Sequence, residues 1–129
     1  NTSMAETYHV LNVEDNPNTA RLIRLVLSEL PLEVHHASDG KQALEMIKTL
    51  KPNLIILDIG LTDMHGWEVL DRMTSNGIDP KVVPVIVLTS HTEASHRVIA
   101  KLKSVACYMT KPFEPDELQG KVKELLKIG

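Results

Sequence analysis

Short apolar runs alternate along the chain with longer stretches in which apolar residues recur every three or four positions. Five runs predict β-strands, at residues 8–13, 33–37, 54–57, 82–88 and around 107–108. The stretches that follow the runs have the spacing of amphipathic helices. Five such alternations predict right-handed β-α-β units, and therefore an α/β fold on a parallel sheet.

The third and fourth runs are almost continuously apolar, without the in-out alternation of a half-exposed strand. Helices are therefore expected to cover both faces of these strands, which places them at the centre of the sheet. Pro84 has no amide hydrogen to give to a neighbouring strand, so we expect it at the start of the fourth strand.

The helices are predicted from their caps and their apolar stripes. We expect Asn16 to cap the first helix, with Pro17 at its first position, and Ser38-Asp39-Gly40 to open the second. The fourth helix is expected from about residue 92 to residue 104. The predicted inward-facing residues are, helix by helix, Leu22, Ile23, Val26, Leu27 and Leu30; Ala43, Leu44, Ile47 and Leu50; Trp67, Val69, Leu70 and Met73; Ala94, Val98, Ile99 and Leu102; Leu118, Val122, Leu125 and Leu126.

The composition fits one compact domain. A chain of 129 residues with 43% hydrophobic residues can bury one sizeable core. Residues 1–5 are expected to be a tag remnant or a disordered start and residues 6–129 the domain, either complete or cut from a longer protein. The net charge of −3 and the scattered lysines and arginines argue against nucleic-acid binding by this domain alone. A single cysteine and the lack of a run of roughly 20 apolar residues predict a cytoplasmic protein with no membrane span.

Candidate chemistry follows the predicted strands. Glu14 and Asp15 come after the first strand, Asp58 after the third and Thr89 after the fourth. The carboxyl ends of parallel strands meet at one edge of a sheet, so three carboxylates are expected to crowd there. Because like charges at short range oppose joint ionisation, cations must compensate them. Mg²⁺ is the natural ion for such oxygen ligands, and Lys111 supplies a second positive charge.

This edge has the parts that phosphoryl transfer requires. Asp58 is the candidate nucleophile and would become an acyl phosphate, while Lys111 and the Thr89 hydroxyl would bind phosphoryl oxygens. Taken singly, Asp58 also fits a turn residue, Glu14-Asp15 a solvated cap and Lys111 a surface charge. The combination favours the phosphoryl site.

The remaining reactive side chains give weaker signals. His35 and His36 are adjacent on a strand and point to opposite faces, and His91 and His96 are five residues apart, so neither pair predicts a zinc site. The histidines are expected to be ordinary surface or packing residues. Cys107 is expected to be a small buried hydrophobic residue.

A set of motifs in fixed order resembles the receiver domain of two-component response regulators, from about His9 to Ile128. The set comprises Glu14-Asp15, Asp58 with Gly66 eight positions later, Thr89-Ser90, and Tyr108 followed by Lys111-Pro112-Phe113. The resemblance implies a five-stranded doubly wound sheet in the order 2-1-3-4-5 with five helices. It also implies a cis peptide bond between Lys111 and Pro112.

The resemblance assigns roles and partners. Asp58 would be the phosphoacceptor, and Asp15, Asp58 and the Gly60 carbonyl would hold Mg²⁺ with help from Glu14. Thr89 and Lys111 would bind the phosphoryl group, and Thr89 and Tyr108 would form the switch. A sensor histidine kinase or a histidine phosphotransfer protein would be the donor. A downstream effector domain or protein would bind through helix 4, strand 5 and helix 5.

The sequence departs from the family pattern in the loop after Asp58. Thr62 stands where the family commonly has proline, and His65 stands where it has an acidic residue. The departures predict a less rigid loop and a third helix that His65 does not cap as an aspartate would. Gly60 and Ser90 leave little bulk over the site, which predicts a short-lived phosphorylated state.

Two other functions are compatible with parts of this pattern. An aspartate-nucleophile phosphatase of the haloacid dehalogenase type would share the strand-end Asp, the Thr and the Lys. That class needs a second aspartate two positions after the nucleophile, where this chain has Gly60. A receiver-like scaffold that binds partners without phosphorylation is the other alternative, and the presence of Asp15, Asp58, Thr89 and Lys111 argues against it.

Overall fold

The computed structural model describes residues 7–91 and 93–128. The predicted tag remnant or disordered start at residues 1–5, the first residue of the predicted domain, the predicted start of the fourth helix at Thr92, and Gly129 lie outside these described residues. The elements in chain order are β1 (Tyr8–Val13), α1 (Pro17–Leu27), β2 (Leu32–Ala37), α2 (Gly40–Leu50), β3 (Leu54–Leu57), α3 (Gly66–Ser75), β4 (Val85–Thr89), α4 (Ala94–Leu102), β5 (Cys107–Thr110) and α5 (Pro115–Leu126).

The five strands form one parallel sheet in the order β2-β1-β3-β4-β5, which confirms the predicted topology. At the carboxyl end of the sheet, Val13 pairs with both Ala37 and Leu57, and Thr89 pairs with Thr110. The residues that follow β1, β3 and β5 therefore leave the sheet at the same edge. In the described part of the chain, no helix has the length and apolar character needed to cross a membrane.

Helices cover both faces of the sheet, and alternate strand residues divide between two cores. Leu11 and Leu57 pack with residues of α2 and α3 on one face. Val10 and Ile56 pack with residues of α1 and α5 on the other. All four residues of β3 and all five of β4 are buried, so the prediction of central strands is confirmed.

The predicted caps of the first two helices are confirmed. The Asn16 side chain accepts hydrogen bonds from the amides of Asn18 (2.9 Å) and Thr19 (3.2 Å), and Pro17 occupies the first turn. The Asp39 carboxylate accepts one from the Gln42 amide at 2.8 Å. These side chains satisfy amides that the first helical turn leaves without backbone partners.

The prediction for the start of α3 is wrong. The Nδ1 atom of His65 accepts a hydrogen bond from the Trp67 amide at 3.3 Å, so His65 is the N-cap. A neutral imidazole can do this because one of its ring nitrogens carries no proton. The next residue must be glycine, because a Cβ on Gly66 would lie 2.4 Å from the Ile59 Cα.

The predicted inward face of α4 is wrong except for Ile99, which is half-buried and packs against the core. Val98 and Leu102 are 59% and 79% exposed, and Ala94 is exposed, while Ala100 is the buried residue of the helix. The helix is rotated so that a small side chain meets the sheet, which the apolar spacing alone does not predict.

Two smaller predictions about packing also fail. Residues 82–84 do not belong to β4, because the amides of Val82 and Val83 bond to the Asp79 carbonyl in a turn before Val85. Pro84 precedes the strand, as its missing amide hydrogen predicts. Leu22, predicted to face inward from α1, lies at the margin of the apolar stripe and is exposed.

Candidate functional site

The ends of three strands hold the charged residues of the site. The Glu14 amide donates to the Ala37 carbonyl (3.0 Å), the Asp58 amide to the Val13 carbonyl (3.0 Å) and the Lys111 amide to the Thr89 carbonyl (2.8 Å). Each residue is thus tied by its backbone to a neighbouring strand. The parallel sheet therefore fixes the backbone positions from which these three side chains extend.

Lys111 joins two of the predicted carboxylates. Its Nζ atom lies 2.7 Å from Glu14 Oε1 and 2.9 Å from Asp58 Oδ2. Glu14 is 1% exposed and Asp58 7% exposed, so neither carboxylate is compensated mainly by solvent. A buried pair of carboxylates needs such a counter-charge, because an isolated buried ion is costly. The Lys111-Pro112 peptide bond is cis, as expected.

The surroundings shift the pKa values of Glu14, Asp58 and Lys111 in different ways. Burial raises the pKa of Glu14 and outweighs the hydrogen bond from Lys111. Burial acts in the same direction on Asp58, but the Gly60 amide and Lys111 outweigh it and hold its pKa below the ordinary value. Burial would lower the pKa of Lys111, yet its bonds to Glu14 and Asp58 leave that pKa raised. Asp58 is therefore an anion and Lys111 a cation at neutral pH.

The same edge could hold a metal ion. One carboxylate oxygen from each of Glu14, Asp15 and Asp58 lies within 4.8 Å of the others. Hard oxygen donors of this kind suit Mg²⁺, which commonly binds through one or two carboxylates and completes its shell with water and phosphate. Gly60, predicted to contribute its carbonyl, donates its amide to Asp58 Oδ1 at 2.9 Å.

The two predicted switch residues are connected through the backbone of a third. Thr89 is fully buried, and its hydroxyl oxygen accepts a hydrogen bond from the His91 amide at 3.3 Å. The Tyr108 hydroxyl donates to the carbonyl of the same His91. The Tyr108 ring is half-buried, with the Arg97 guanidinium 4.9 Å from its centroid. A displacement of the β4–α4 loop would change both contacts.

Sequence reasoning missed the position of His91. A Cβ added to Gly60 would lie 2.8 Å from His91 Nε2 and 3.7 Å from Asp58 Oδ1. The space that Gly60 leaves beside Asp58 is therefore filled by an imidazole ring, and the site is less open than Gly60 and Ser90 predict. The only signal in the sequence is that His91 follows Thr89 by two residues.

His91 belongs to a row of neighbouring rings, in which it meets His96 edge to face and His96 stacks on His65. The ring centroid of His91 lies 5.6 Å from that of His96, which lies 5.9 Å from that of His65. The Trp67 indole donates to His96 Nδ1 at 3.1 Å. Burial, and then the proximity of His96 and His91, lower the pKa of His65. The histidines predicted to be ordinary surface or packing residues thus pack against one another and connect the start of α3 to the loop after β4.

The loop between Asp58 and α3 is anchored from the side. The Asp63 carboxylate accepts hydrogen bonds from the amides of Gly40 (2.8 Å) and Lys41 (2.9 Å) at the start of α2. Negative charge at a helix N-terminus is favourable because the helix dipole is positive there. This contact restrains the loop in which Thr62 stands where proline is common in the family that the sequence resembles.

Comparison with known proteins agrees with this geometry. The chain is 33% identical over 118 residues to the alkaline phosphatase synthesis transcriptional regulatory protein PhoP of Bacillus subtilis, covering 92% of this chain and 48% of that protein. It is 30% identical over 118 residues to the DNA-binding response regulator MtrA of Mycolicibacterium smegmatis, covering 92% and 50%. The chain thus spans about half the length of the curated relatives it matches.

Solved structures share the fold. A signal receiver domain from Vibrio parahaemolyticus superposes with a TM-score of 0.89 at 34% identity, covering 95% of this chain and 92% of that one. A CheY-like response regulator receiver domain from Methanospirillum hungatei superposes with a TM-score of 0.86 at 25% identity, covering 95% of each chain. Residues 10–123 match the response regulator receiver domain as a family. At the acidic edge of the sheet, formed by Glu14, Asp15 and Asp58, Lys111 joins two of the carboxylates. The chain is a signalling domain and belongs to the response regulator receiver domain family.

Proposed function

We propose that this domain accepts a phosphoryl group on Asp58 from a phosphohistidine donor and converts that event into a change at a partner-binding surface. The observation that supports the proposal most strongly is the Lys111 ammonium, which lies within 3 Å of both Asp58 Oδ2 (2.9 Å) and Glu14 Oε1 (2.7 Å). One cation between two buried carboxylates keeps Asp58 ionised and leaves it next to a group that binds phosphoryl oxygens.

The residues of the site supply the parts of an in-line displacement. An Asp58 carboxylate oxygen forms a bond to phosphorus while the P–N bond of the donor breaks, and the electron pair of that bond stays on the donor imidazole. Gly60 fixes the carboxylate through its amide, 2.9 Å from Oδ1. Lys111 and the Thr89 hydroxyl bind the phosphoryl oxygens as negative charge accumulates there.

Glu14, Asp15, Asp58 and the Gly60 carbonyl are the groups that we assign to Mg²⁺. The oxygen donors present fit this ion, since three carboxylates approach within 4.8 Å. When bound, Mg²⁺ would offset the negative charge of the carboxylates and of the phosphoryl oxygens. Without the ion, the single positive charge of Lys111 offsets only one of the negative charges that the three carboxylates can carry.

The proposed switch runs from Thr89 through His91 to Tyr108. If the Thr89 hydroxyl turns toward a phosphoryl group on Asp58, it loses its bond to the His91 amide, and the loop carrying the acceptor of the Tyr108 hydroxyl moves. The affected surface comprises α4, β5 and α5, to which we assign the downstream effector domain or protein. The donor would be a sensor histidine kinase or a histidine phosphotransfer protein, in the cytoplasm.

The domain would act as a signalling module whose chemistry is confined to its own phosphorylation and dephosphorylation. DNA contact, if the full protein makes it, would come from another domain, because this one has a net charge of −3. The phosphatase alternative lacks a carboxylate at Gly60. The scaffold alternative gives no reason for a lysine shared by Glu14 and Asp58.

The test is phosphorylation by acetyl phosphate in the presence of Mg²⁺, measured as intact mass on the wild type and on Asp58→Asn. We expect one added phosphoryl group on the wild type and none on the variant. An unmodified wild type under conditions that label an active receiver domain would favour the scaffold. Sustained turnover of unrelated phosphate esters would favour the phosphatase.

A further inference from the structure

A second group of metal-ligating side chains lies near the amino-terminal ends of β1 and β2, away from Asp58. His9 of β1 is paired in register with Glu33 of β2, and His35 lies two residues further along β2 on the same face. His9 Nδ1 is 3.0 Å from His35 Nε2 and 3.7 Å from Glu33 Oε2. One ligand atom from each of the three lies within 4.8 Å of the others.

These separations match what one small ion requires. Two nitrogen ligands, each about 2.0–2.1 Å from a tetrahedral zinc ion, lie roughly 3.3 Å apart. The two distances from His9 Nδ1, 3.0 Å to a nitrogen and 3.7 Å to a carboxylate oxygen, lie on either side of that value, and the ligand atoms of Glu33 and His35 are within 4.8 Å of each other. Small rotations of the side chains would therefore bring all three ligand atoms onto one ion without moving the strands.

The backbone beneath this group is already fixed. The His9 amide donates to Asn53 Oδ1 at 2.7 Å, and the Asn53 amide donates to the His9 carbonyl at 2.8 Å. The hydrogen bonds of the two imidazoles within the described chain use only His9 Nδ1 and His35 Nε2. One of these facing nitrogens carries a proton, which can move through solvent to the outer nitrogen of the same ring when an ion binds.

The other histidine group, formed by His91, Glu93 and His96, is less suited to a metal. The Trp67 indole can only donate, so His96 Nδ1 at 3.1 Å must accept, and the proton of the neutral ring then lies on Nε2. That Nε2 is the nitrogen that faces Glu93, at 3.6 Å. A metal ion there would have to displace this proton and break the bond to Trp67.

We propose that His9, Glu33 and His35 form a binding site for a late first-row divalent cation such as Zn²⁺. Two imidazoles and one carboxylate prefer such an ion to Mg²⁺, which selects oxygen ligands. The ion joins β2, at the edge of the sheet, to β1 and leaves at least one coordination position for water or an outside ligand. The site is independent of the acidic edge, so its metal and the Mg²⁺ assigned to Asp58 do not compete for ligands.

The test is a titration of the chain, without an affinity tag, with ZnCl₂ at saturating Mg²⁺. Binding is measured by isothermal titration calorimetry and by NMR of the imidazole nitrogens. The variants are His35→Ala and Glu33→Gln, and the matched control is His96→Ala in the other histidine group. Circular dichroism of the zinc-free proteins verifies folding. Glu33 has a largely exposed side chain, so its variant tests the site even if His35→Ala fails to fold.

We expect one equivalent of Zn²⁺ on the wild type and on His96→Ala, with ring signals of His9 and His35 perturbed first. Loss of a residue that only hydrogen-bonds to a metal ligand typically lowers metal affinity at least about tenfold. Loss of a ligand itself should lower it by at least as much, so both site variants should bind Zn²⁺ at least about tenfold more weakly. The proposal is overturned if the wild type shows no saturable binding. It is equally overturned if His96→Ala abolishes binding while Glu33→Gln retains it.

Discussion

The acidic edge of the sheet and helix α4 flank the same loop but are built in opposite ways. At the edge, Glu14, Asp58 and Thr89 are all buried, and each extends from a strand whose backbone is paired on the sheet. In α4 one residue, Ala100, is buried, whereas α3 buries five. An element with little buried apolar surface can shift at low cost. The proposed chemistry thus lies at the ends of strands paired within the sheet, and the proposed readout surface includes one loosely packed helix, α4.

The largest expected effect comes from removing the cation of the acidic edge. Lys111→Met leaves Glu14 and Asp58 without their shared counter-charge and removes a phosphoryl ligand. We expect the rate of phosphorylation by acetyl phosphate to fall on the order of 1000-fold, the upper range for loss of one preorganised donor. Lys101→Met on exposed α4 is the matched control and should leave the rate unchanged. Equal rates for the two variants would refute the assigned role of Lys111.

Matched leucines measure the difference in packing directly. Leu70 of α3 is 1% exposed, whereas Leu102 of α4 is largely exposed. Leu70→Ala should lower the free energy of unfolding by about 3 kcal/mol, because it removes buried surface and leaves a cavity. Leu102→Ala should change it by less than about 0.5 kcal/mol. Urea denaturation checks both, and similar losses would mean that α4 is packed as tightly as α3.

The pH dependence of stability tests the ion pairs at the edge. The pKa of Lys111 is raised above its ordinary value of 10.5, so its contribution is complete below that pH and is lost as pH rises through the folded-state value. The free energy of unfolding of the wild type should exceed that of Lys111→Met by about 2 kcal/mol at pH 8. This value is smaller than that of a fully buried ion pair because Lys111 is partly exposed. Urea titrations at pH 8 and above pH 11 should show the difference shrinking. A difference that is constant with pH would exclude this electrostatic origin.

The smallest expected effect concerns the contact between β5 and the loop. Tyr108→Phe removes the hydroxyl that donates to the His91 carbonyl but keeps the ring. We expect a loss of about 1 kcal/mol in the free energy of unfolding, the net value of one hydrogen bond. Phosphorylation of Asp58 should proceed at the wild-type rate, because among the described residues the hydroxyl bonds to the His91 carbonyl and not to Glu14, Asp58 or Lys111. A large fall in that rate would mean that Tyr108 supports the chemistry and not only the switch.

The two regions also differ in how well the sequence predicts them. The strand-end residues were predicted because a parallel sheet brings the ends of β1, β3 and β5 to one edge whatever the side chains do. The apolar spacing of α4 predicts only part of its inward face: Ile99 packs against the core, but Val98 and Leu102 stay exposed and Ala100 is buried instead. The helical period determines which residues share a face. It does not determine which face packs against the sheet when the helix has apolar residues on more than one face.

The contacts of the histidine rings were the least predictable. His65 caps α3 locally, through a lone pair that depends on its tautomer. His91 fills the space beside Gly60, and His9 meets His35 because β1 and β2 are paired in a particular register. The last two contacts do not follow from local spacing, because they depend on strand register or on the path of a loop, which only the folded chain defines.

The most direct measurement locates the phosphoryl group itself. The wild-type domain is phosphorylated in the presence of Mg²⁺ and treated with borohydride, which reduces an aspartyl phosphate to homoserine, and its peptides are sequenced by mass spectrometry. We predict homoserine at position 58 and unmodified aspartate at position 15. Homoserine at Asp15, or phosphate retained on a histidine with position 58 unchanged, would contradict the claim that Lys111 and the crowded carboxylates prepare Asp58 to receive phosphorus.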